Sequence, residues 1–233
     1  MRLNKINLAS LVLGGSVLLA GCGGGGSDGG SVLSLSGTAA TGAPIAGQIV
    51  TATCKTGTAT VTTSTDGSYT ANIGGGEGPC LLKITLAGGG ALYSITSGNG
   101  ASQTANITPM TNLLVIYLSN VPGMTAASPE AWFALPAART LLANTAALNT
   151  RITADFIPAV KALVPTLSLS TTDFLYTKFT ASPTSSTTDA DLELLKNSGV
   201  VTSTGAPTAA TTLLLQTAAA NDTPVVSPTG AGS

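Results

Sequence analysis

Cys22, Cys54 and Cys80 hold all the thiol chemistry this chain can offer, and the sequence contains no histidine to activate any of them. Neither a Ser-His-Asp relay nor a Cys-His pair can then be assembled, because each needs an imidazole to take the nucleophile's proton. The acids are Asp28, Asp66, Glu77, Glu130, Asp155, Asp173, Asp189, Asp191, Glu193 and Asp222. Glycoside hydrolysis would need two of them placed across a cleft. Asp189, Asp191 and Glu193 are close in sequence, but at the start of a helix their charge serves the helix dipole instead. No Ser-x-x-Lys pair occurs. The expectation is therefore a chain that is not an enzyme, with no catalytic residue, no metal site and no cofactor.

Cys22 has a different setting from the other two cysteines. Arg2 and Lys5 precede an uncharged run, Ile6 to Ala20. A basic start followed by a short apolar segment is the pattern of a secretory signal, and the run is too short to cross a bilayer comfortably. Leu19-Ala20-Gly21-Cys22 closes it. These four residues resemble the lipobox of bacterial lipoproteins. The resemblance implies that residues 1–21 are a lipoprotein signal peptide and that Cys22 carries lipid, such as palmitate, on its sulfur. The membrane would then be a partner through that lipid. The rival is an ordinary signal with an incidental cysteine. One acyl chain anchors marginally and two hold stably, at ~0.8 kcal/mol per buried CH₂. In the enterobacterial lipoproteins that this stretch resembles, an aspartate at the position of Gly23 favours the inner membrane, so the resemblance implies the outer membrane, on its periplasmic face or at the cell surface.

Residues 22–31 are glycine-rich and read as a tether, whose reach is roughly 17 Å for about ten flexible residues. Gly23 to Gly26 is not a phosphate loop, since no Gly-Lys-Ser/Thr follows. With 8% charged residues and a net charge of −1, the chain has no basic footprint for nucleic acid. Its hydrophobic content of 43% is enough for a core. Cys54 and Cys80 form an even pair in an exported chain, so a disulfide is expected. Two free thiols or a metal pair are the alternatives, and no further ligands accompany them.

Residues 32–107 read as β-structure by period-2 alternation. Leu33 and Leu35 share a face, as do Val50, Ala52 and Cys54. Tyr69, Ala71 and Ile73 form a third set. Cys80, Leu82, Ile84 and Leu86 form a fourth, with Lys83 and Thr85 pointing away. Both cysteines thus fall on apolar faces. Asp66-Gly67, between two alternating runs, is a hairpin-turn signal, because glycine supplies positive φ. Gly42-Ala43-Pro44-Ile45-Ala46-Gly47-Gln48-Ile49-Val50, Thr65-Asp66-Gly67-Ser68-Tyr69 and Gly78-Pro79-Cys80-Leu81-Leu82-Lys83-Ile84 together resemble the carboxypeptidase regulatory-like domain. That resemblance covers about a third of the chain. It implies a small antiparallel prealbumin-like β-sandwich of some seven strands, a non-catalytic role and, by analogy with carbohydrate-binding relatives, a polysaccharide ligand. Cys80 departs from the pattern, standing where an aromatic is usual.

Residues 108–220 read as a small irregular helical domain, making the chain α+β. Thr108-Pro109 and Ser128-Pro129-Glu130 are cap-then-proline starts. Met110 to Leu118 is apolar around most of its circumference and should be a buried helix that docks the sandwich to the extension. It lacks the basic face of a membrane-lying helix. Ala137 to Ile152 has apolar residues at helical spacing. Phe156 to Val164 suggests another short helix. Thr188-Asp189-Ala190-Asp191 resembles a capping box. Gly199 suits a C′ position. Trp132, Phe133 and Tyr117 could stack on sugars, but one tryptophan in an apolar helix start belongs more naturally in a core. Asn106-Ile107-Thr108 is a glycosylation sequon without expected meaning. Residues 221–233 are small and polar and read as a flexible tail. The function expected is a lipid-anchored envelope protein with a binding or structural role. A carbohydrate-binding module is the alternative, and the partner is a polysaccharide or an envelope protein.

Overall fold

A computed structural model describes residues 31–181 and 187–225. Seven strands come first: β1 (Val32–Thr38), β2 (Ile49–Thr56), β3 (Thr58–Thr62), β4 (Ser68–Gly74), β5 (Glu77–Thr85), β6 (Ala91–Ile95) and β7 (Ser102–Thr104). They form two sheets, β4-β1-β7 and β3-β2-β5-β6. The predicted alternation is what packs them. Leu33, Leu35, Val50, Ala52, Tyr69, Ala71, Ile73, Leu82 and Ile84 are all buried in one cluster between the sheets. The fold is α+β, with a seven-stranded sandwich-like part followed by helices.

Two features depart from the sequence reading. The sandwich is not wholly antiparallel, because β7 runs parallel to β1, with Ser34 opposite Ser102 and Ser36 opposite Thr104. Asp66-Gly67 forms a turn but not a hairpin between paired strands, since β3 and β4 belong to different sheets. The local chemistry is as expected: Asp66 Oδ1 accepts the Ser68 N–H at 3.0 Å, and Gly67 has φ +78°. A Cβ at Gly67 would come within 2.4 Å of the Ala39 carbonyl oxygen. Those forces set the bend. The sheet that the next strand joins is set by β4's partner, β1.

The helices begin with α1 (Pro109–Leu118), nine of whose ten residues are buried. It lies against the outer face of the four-stranded sheet, where Leu81 and Ile95 join the helical core. β5 is consequently buried on both faces, which explains why Cys80-Leu81-Leu82 breaks strict alternation. A buried helix start needs its free N–H groups satisfied. Here Thr111 N–H donates to Thr108 Oγ1 at 3.2 Å and Thr108 N–H donates to Thr111 Oγ1 at 2.9 Å. The same helix turn covers the edge of β6. Tyr93 N–H donates to Asn112 Oδ1 at 3.2 Å and Thr111 Oγ1 donates to the Tyr93 carbonyl at 3.0 Å. An otherwise exposed strand edge is thereby closed.

α2 (Pro129–Ala134) and α3 (Pro136–Ala143) follow. The expected continuous helix to Ile152 is broken at Asn144, whose side chain caps α4 (Thr145–Arg151) by accepting the Ala147 N–H at 3.1 Å. Asparagine competes with helical bonding in this way. A π-helical turn, Ile152–Phe156, leads into α5 (Ile157–Leu163). Pro158 cannot donate to the carbonyl four residues back, and Ile157 N–H reaches Ile152 O instead. α6 (Asp173–Tyr176), α7 (Thr187–Asn197) and α8 (Ala209–Ala220) follow. Gly199 ends α7 at φ +73°. Val200 N–H bonds Leu195 O and Gly199 N–H bonds Lys196 O, both at 3.1 Å, the paired closure expected for a C′ glycine. Among the described residues no helix is long and apolar enough to cross a membrane.

Candidate functional site

The Cys54–Cys80 pair is a disulfide. The two residues face each other directly in the β2–β5 register and are 5% and 0% exposed. Both sulfurs are thus bonded and covered, and neither is available as a thiolate. Cys22 lies outside the described residues, as does Asp28.

The other acids are dispersed. Asp66 stays in its turn, held below the usual carboxylate range by the Ser68 side-chain and backbone hydrogen bonds. Glu77 makes an exposed 3.0 Å pair with Lys55. Glu130 accepts from Lys83 Nζ at 2.9 Å and from the Tyr93 hydroxyl at 2.8 Å. Burial pushes its carboxyl up, but the two donors outweigh burial and leave it lowered. Glu193 pairs with Lys196 at 3.3 Å within α7. Asp173 begins α6 and accepts the Thr177 hydroxyl at 3.3 Å.

Within α7, Asp189 and Glu193 lie one turn apart, and burial with the Glu193 charge raises the Asp189 carboxyl; among the described residues two further places bring acids of different elements together. At the first, the π-helical turn sets Asp155 close to Arg151 and Asp222. Arg151 Nη1 bonds Asp222 Oδ2, with side chains only 12% and 5% exposed. Tyr117 donates its hydroxyl to the same oxygen at 3.1 Å, and Arg151 Nη2 donates to the Thr223 carbonyl at 3.1 Å. Burial pushes the Tyr117 phenol up, and the Asp222 charge adds to it. Burial, then the same charge, raises Asp155. Asp222 Oδ1 meanwhile accepts from the Thr223 N–H. Asp222 is thus engaged on both oxygens by its own chain. The cluster resembles a clasp more than a site for substrate. It also corrects the expected tail: residues 222–225 are fastened, with Val225 N–H bonded to Pro122 O at 3.0 Å. Residues 226–233 lie outside the described residues. Nothing local could have announced a pair 71 positions apart.

The second place is a cleft of about 210 Å³ lined by Asp173, Asp191, Ser168, Ser170 and Thr171 over a floor that includes Met110 and Phe174. Asp191 Oδ1 accepts the Ser168 N–H at 2.8 Å. Burial raises its carboxyl, opposed by that bond. The capping-box reading is not what forms here, because Thr188 lies inside α7 and Asp191 reaches a loop rather than its own helix start. A raised carboxyl contributes stability in its protonated form, and that contribution is lost as pH rises through the folded value. Asp191→Asn keeps the acceptor and removes the charge. Its stability relative to wild type should therefore improve from acid to neutral pH, as read by denaturant midpoints across pH. A constant difference would show that Asp191 carries no such strain.

The aromatic residues do not form a platform. Trp132, Phe133 and Tyr117 are 0%, 2% and 2% exposed, in the helical core with Phe156 and Phe174. Sequence inspection did not anticipate Asn106. Its Oδ1 accepts the Thr38 N–H at 3.1 Å, and its Nδ2 donates to the Phe174 and Thr177 carbonyls at 3.1 and 2.7 Å. It is fully buried, so the amide of the sequon is a tie between sandwich and helices and cannot receive a sugar. Among the described residues no cluster of three or more acids or cysteines could hold a metal ion. Comparison with family models, with curated proteins and with solved structures finds no match.

Proposed function

We propose that this chain is a non-catalytic, lipid-anchored protein of the bacterial cell envelope, with a binding or structural role. The observation that carries the reading is Leu19-Ala20-Gly21-Cys22 following a basic start and an uncharged apolar run. Two acyl chains on one cysteine would hold such a chain stably at a bilayer. The non-catalytic part rests on the missing imidazole, the bonded state of Cys54 and Cys80, and the engagement of Asp222 by Arg151 and Tyr117. The outer membrane is the location favoured by Gly23. The resemblance at Gly42 to Ile84 supports a binding accessory, and the ligand would be met chiefly through hydroxyl and amide groups, since Trp132, Phe133 and Tyr117 are covered.

Labelled palmitate is expected to enter the wild-type chain and not Cys22→Ser, and the variant should move from the membrane fraction to the soluble one. Equal labelling of both would refute the anchor. Sedimentation of the chain with purified peptidoglycan or envelope polysaccharide would identify carbohydrate as the ligand. Sedimentation with neither would direct the search to a protein partner by crosslinking in intact cells.

A further inference from the structure

β3 is an edge strand with an unusual lack of protection. Its sequence is Thr58-Ala59-Thr60-Val61-Thr62, which holds no charge, no proline and no bulge, the devices by which natural sheets guard an edge. Among the described residues it pairs with β2 alone. The direction of its backbone groups follows from its ends. Cys54 N–H bonds Gly57 O at 3.0 Å and Thr63 N–H bonds Gln48 O at 2.9 Å. Residues 57 and 63 therefore face β2, and by the period of two so do Ala59 and Val61. The N–H and C=O of Thr58, Thr60 and Thr62 face away from the sheet. Their side chains are exposed, while Ala59 and Val61 are half-buried toward the sandwich core.

We propose that a second copy of this chain pairs with β3, edge to edge and antiparallel, about a two-fold axis at Thr60. The strand is self-complementary about that residue. Thr60 would meet Thr60 of the second copy, Thr58 would meet Thr62, and Ala59 would meet Val61. Threonine thus faces threonine on the outer surface, where such pairs bond across strands. Small apolar side chains face each other on the inner surface. A two-fold contact requires the same patch on both copies, and this strand meets that condition residue by residue. The outward N–H and C=O groups of both strands would be satisfied, and the two four-stranded sheets would become one continuous sheet. Thr58, Thr60 and Thr62 are β-branched and held to few rotamers, so little side-chain freedom is lost on pairing.

Engineered disulfides test both the contact and its register, because directly opposed residues in a hydrogen-bonded antiparallel pair lie ~5.5 Å apart between Cα atoms, within the reach of a disulfide. The full-length chain carrying Cys22→Ser is used, so that the introduced thiol is the one free cysteine whatever the fate of Cys22. Mild oxidation of intact cells and non-reducing electrophoresis should convert most of Thr60→Cys to a covalent dimer. Thr51→Cys, directly across β2 from Thr60, should remain monomeric. Thr58→Cys and Thr62→Cys should each remain monomeric alone and crosslink when expressed together. This mixed pair tests the register even if Thr60→Cys is poorly folded. Monomer throughout, or crosslinking of Thr51→Cys as readily as Thr60→Cys, would overturn the proposal. Loss of palmitate labelling at Cys22 would leave it untouched.

Discussion

Replacing both Cys54 and Cys80 with alanine is expected to lower the stability of the fold by about 3.5 kcal/mol. The bond joins residues separated by 26 positions. Closing a loop of that size removes conformations from the unfolded chain, and the chain-entropy model puts the gain at that magnitude. Alanine is the informative substitution because both sites are buried, and serine would add an unpartnered hydroxyl to the core. The effect is a large share of the ~5–15 kcal/mol by which domains are normally stable. The measurement is the denaturant midpoint of wild type, reduced wild type and the double alanine variant. Reduced wild type should fall close to the variant. A midpoint insensitive to reductant would show that the β2–β5 ladder, not the cross-link, holds the sandwich.

Removing the guanidinium at Arg151 is expected to cost about 3–5 kcal/mol, the usual loss when one partner of a buried ion pair is deleted. Asp222 is only 5% exposed and keeps a bond from Tyr117. Without Arg151 its charge would be left covered, beside the already raised carboxyl of Asp155. The repulsion would lift Asp155 further and favour release of residues 222–225 from Pro122 and Arg151. In Arg151→Leu with Asp222→Asn, no buried charge is left unpaired. The double variant should therefore be more stable than Arg151→Leu alone, a non-additivity that a double-mutant cycle reads directly. Additive losses would mean that Asp222 finds water when Arg151 is gone. Faster proteolysis after residue 221 in Arg151→Leu would show the clasp opening.

These two expectations differ in how far they could be foreseen. The disulfide was legible because two local signals coincide: an even cysteine pair, and the position of each on the apolar face of its own strand. The clasp had no such signal. Arg151 reads as one basic residue near a helix end and Asp222 as one acid in a small polar segment. They meet only because α1 packs against α8 and against the π-helical turn that follows Arg151, which brings the ends of distant segments to one point.

Interactions that operate within a few residues are therefore what the chain's order determined by itself. The period-2 faces of β1, β2, β4 and β5, the Thr108 and Ser128 caps, the Asp66–Ser68 turn bond and the Gly199 helix end all follow from patterns or bonds reaching no further than the next turn. The proposed lipid anchor rests on the same local class of signal, the four residues Leu19-Ala20-Gly21-Cys22 after an uncharged run. Tertiary structure alone decided the parallel entry of β7 beside β1, the passage of β4 into the other sheet, the burial of β5 on both faces, and the outward edge of β3. It also made Asn106 a tie between sandwich and helices, whereas the core place of Trp132 is already the expectation from its apolar helix start. In each case the deciding partner lies far along the chain, and its energy appears only once both segments have left water together.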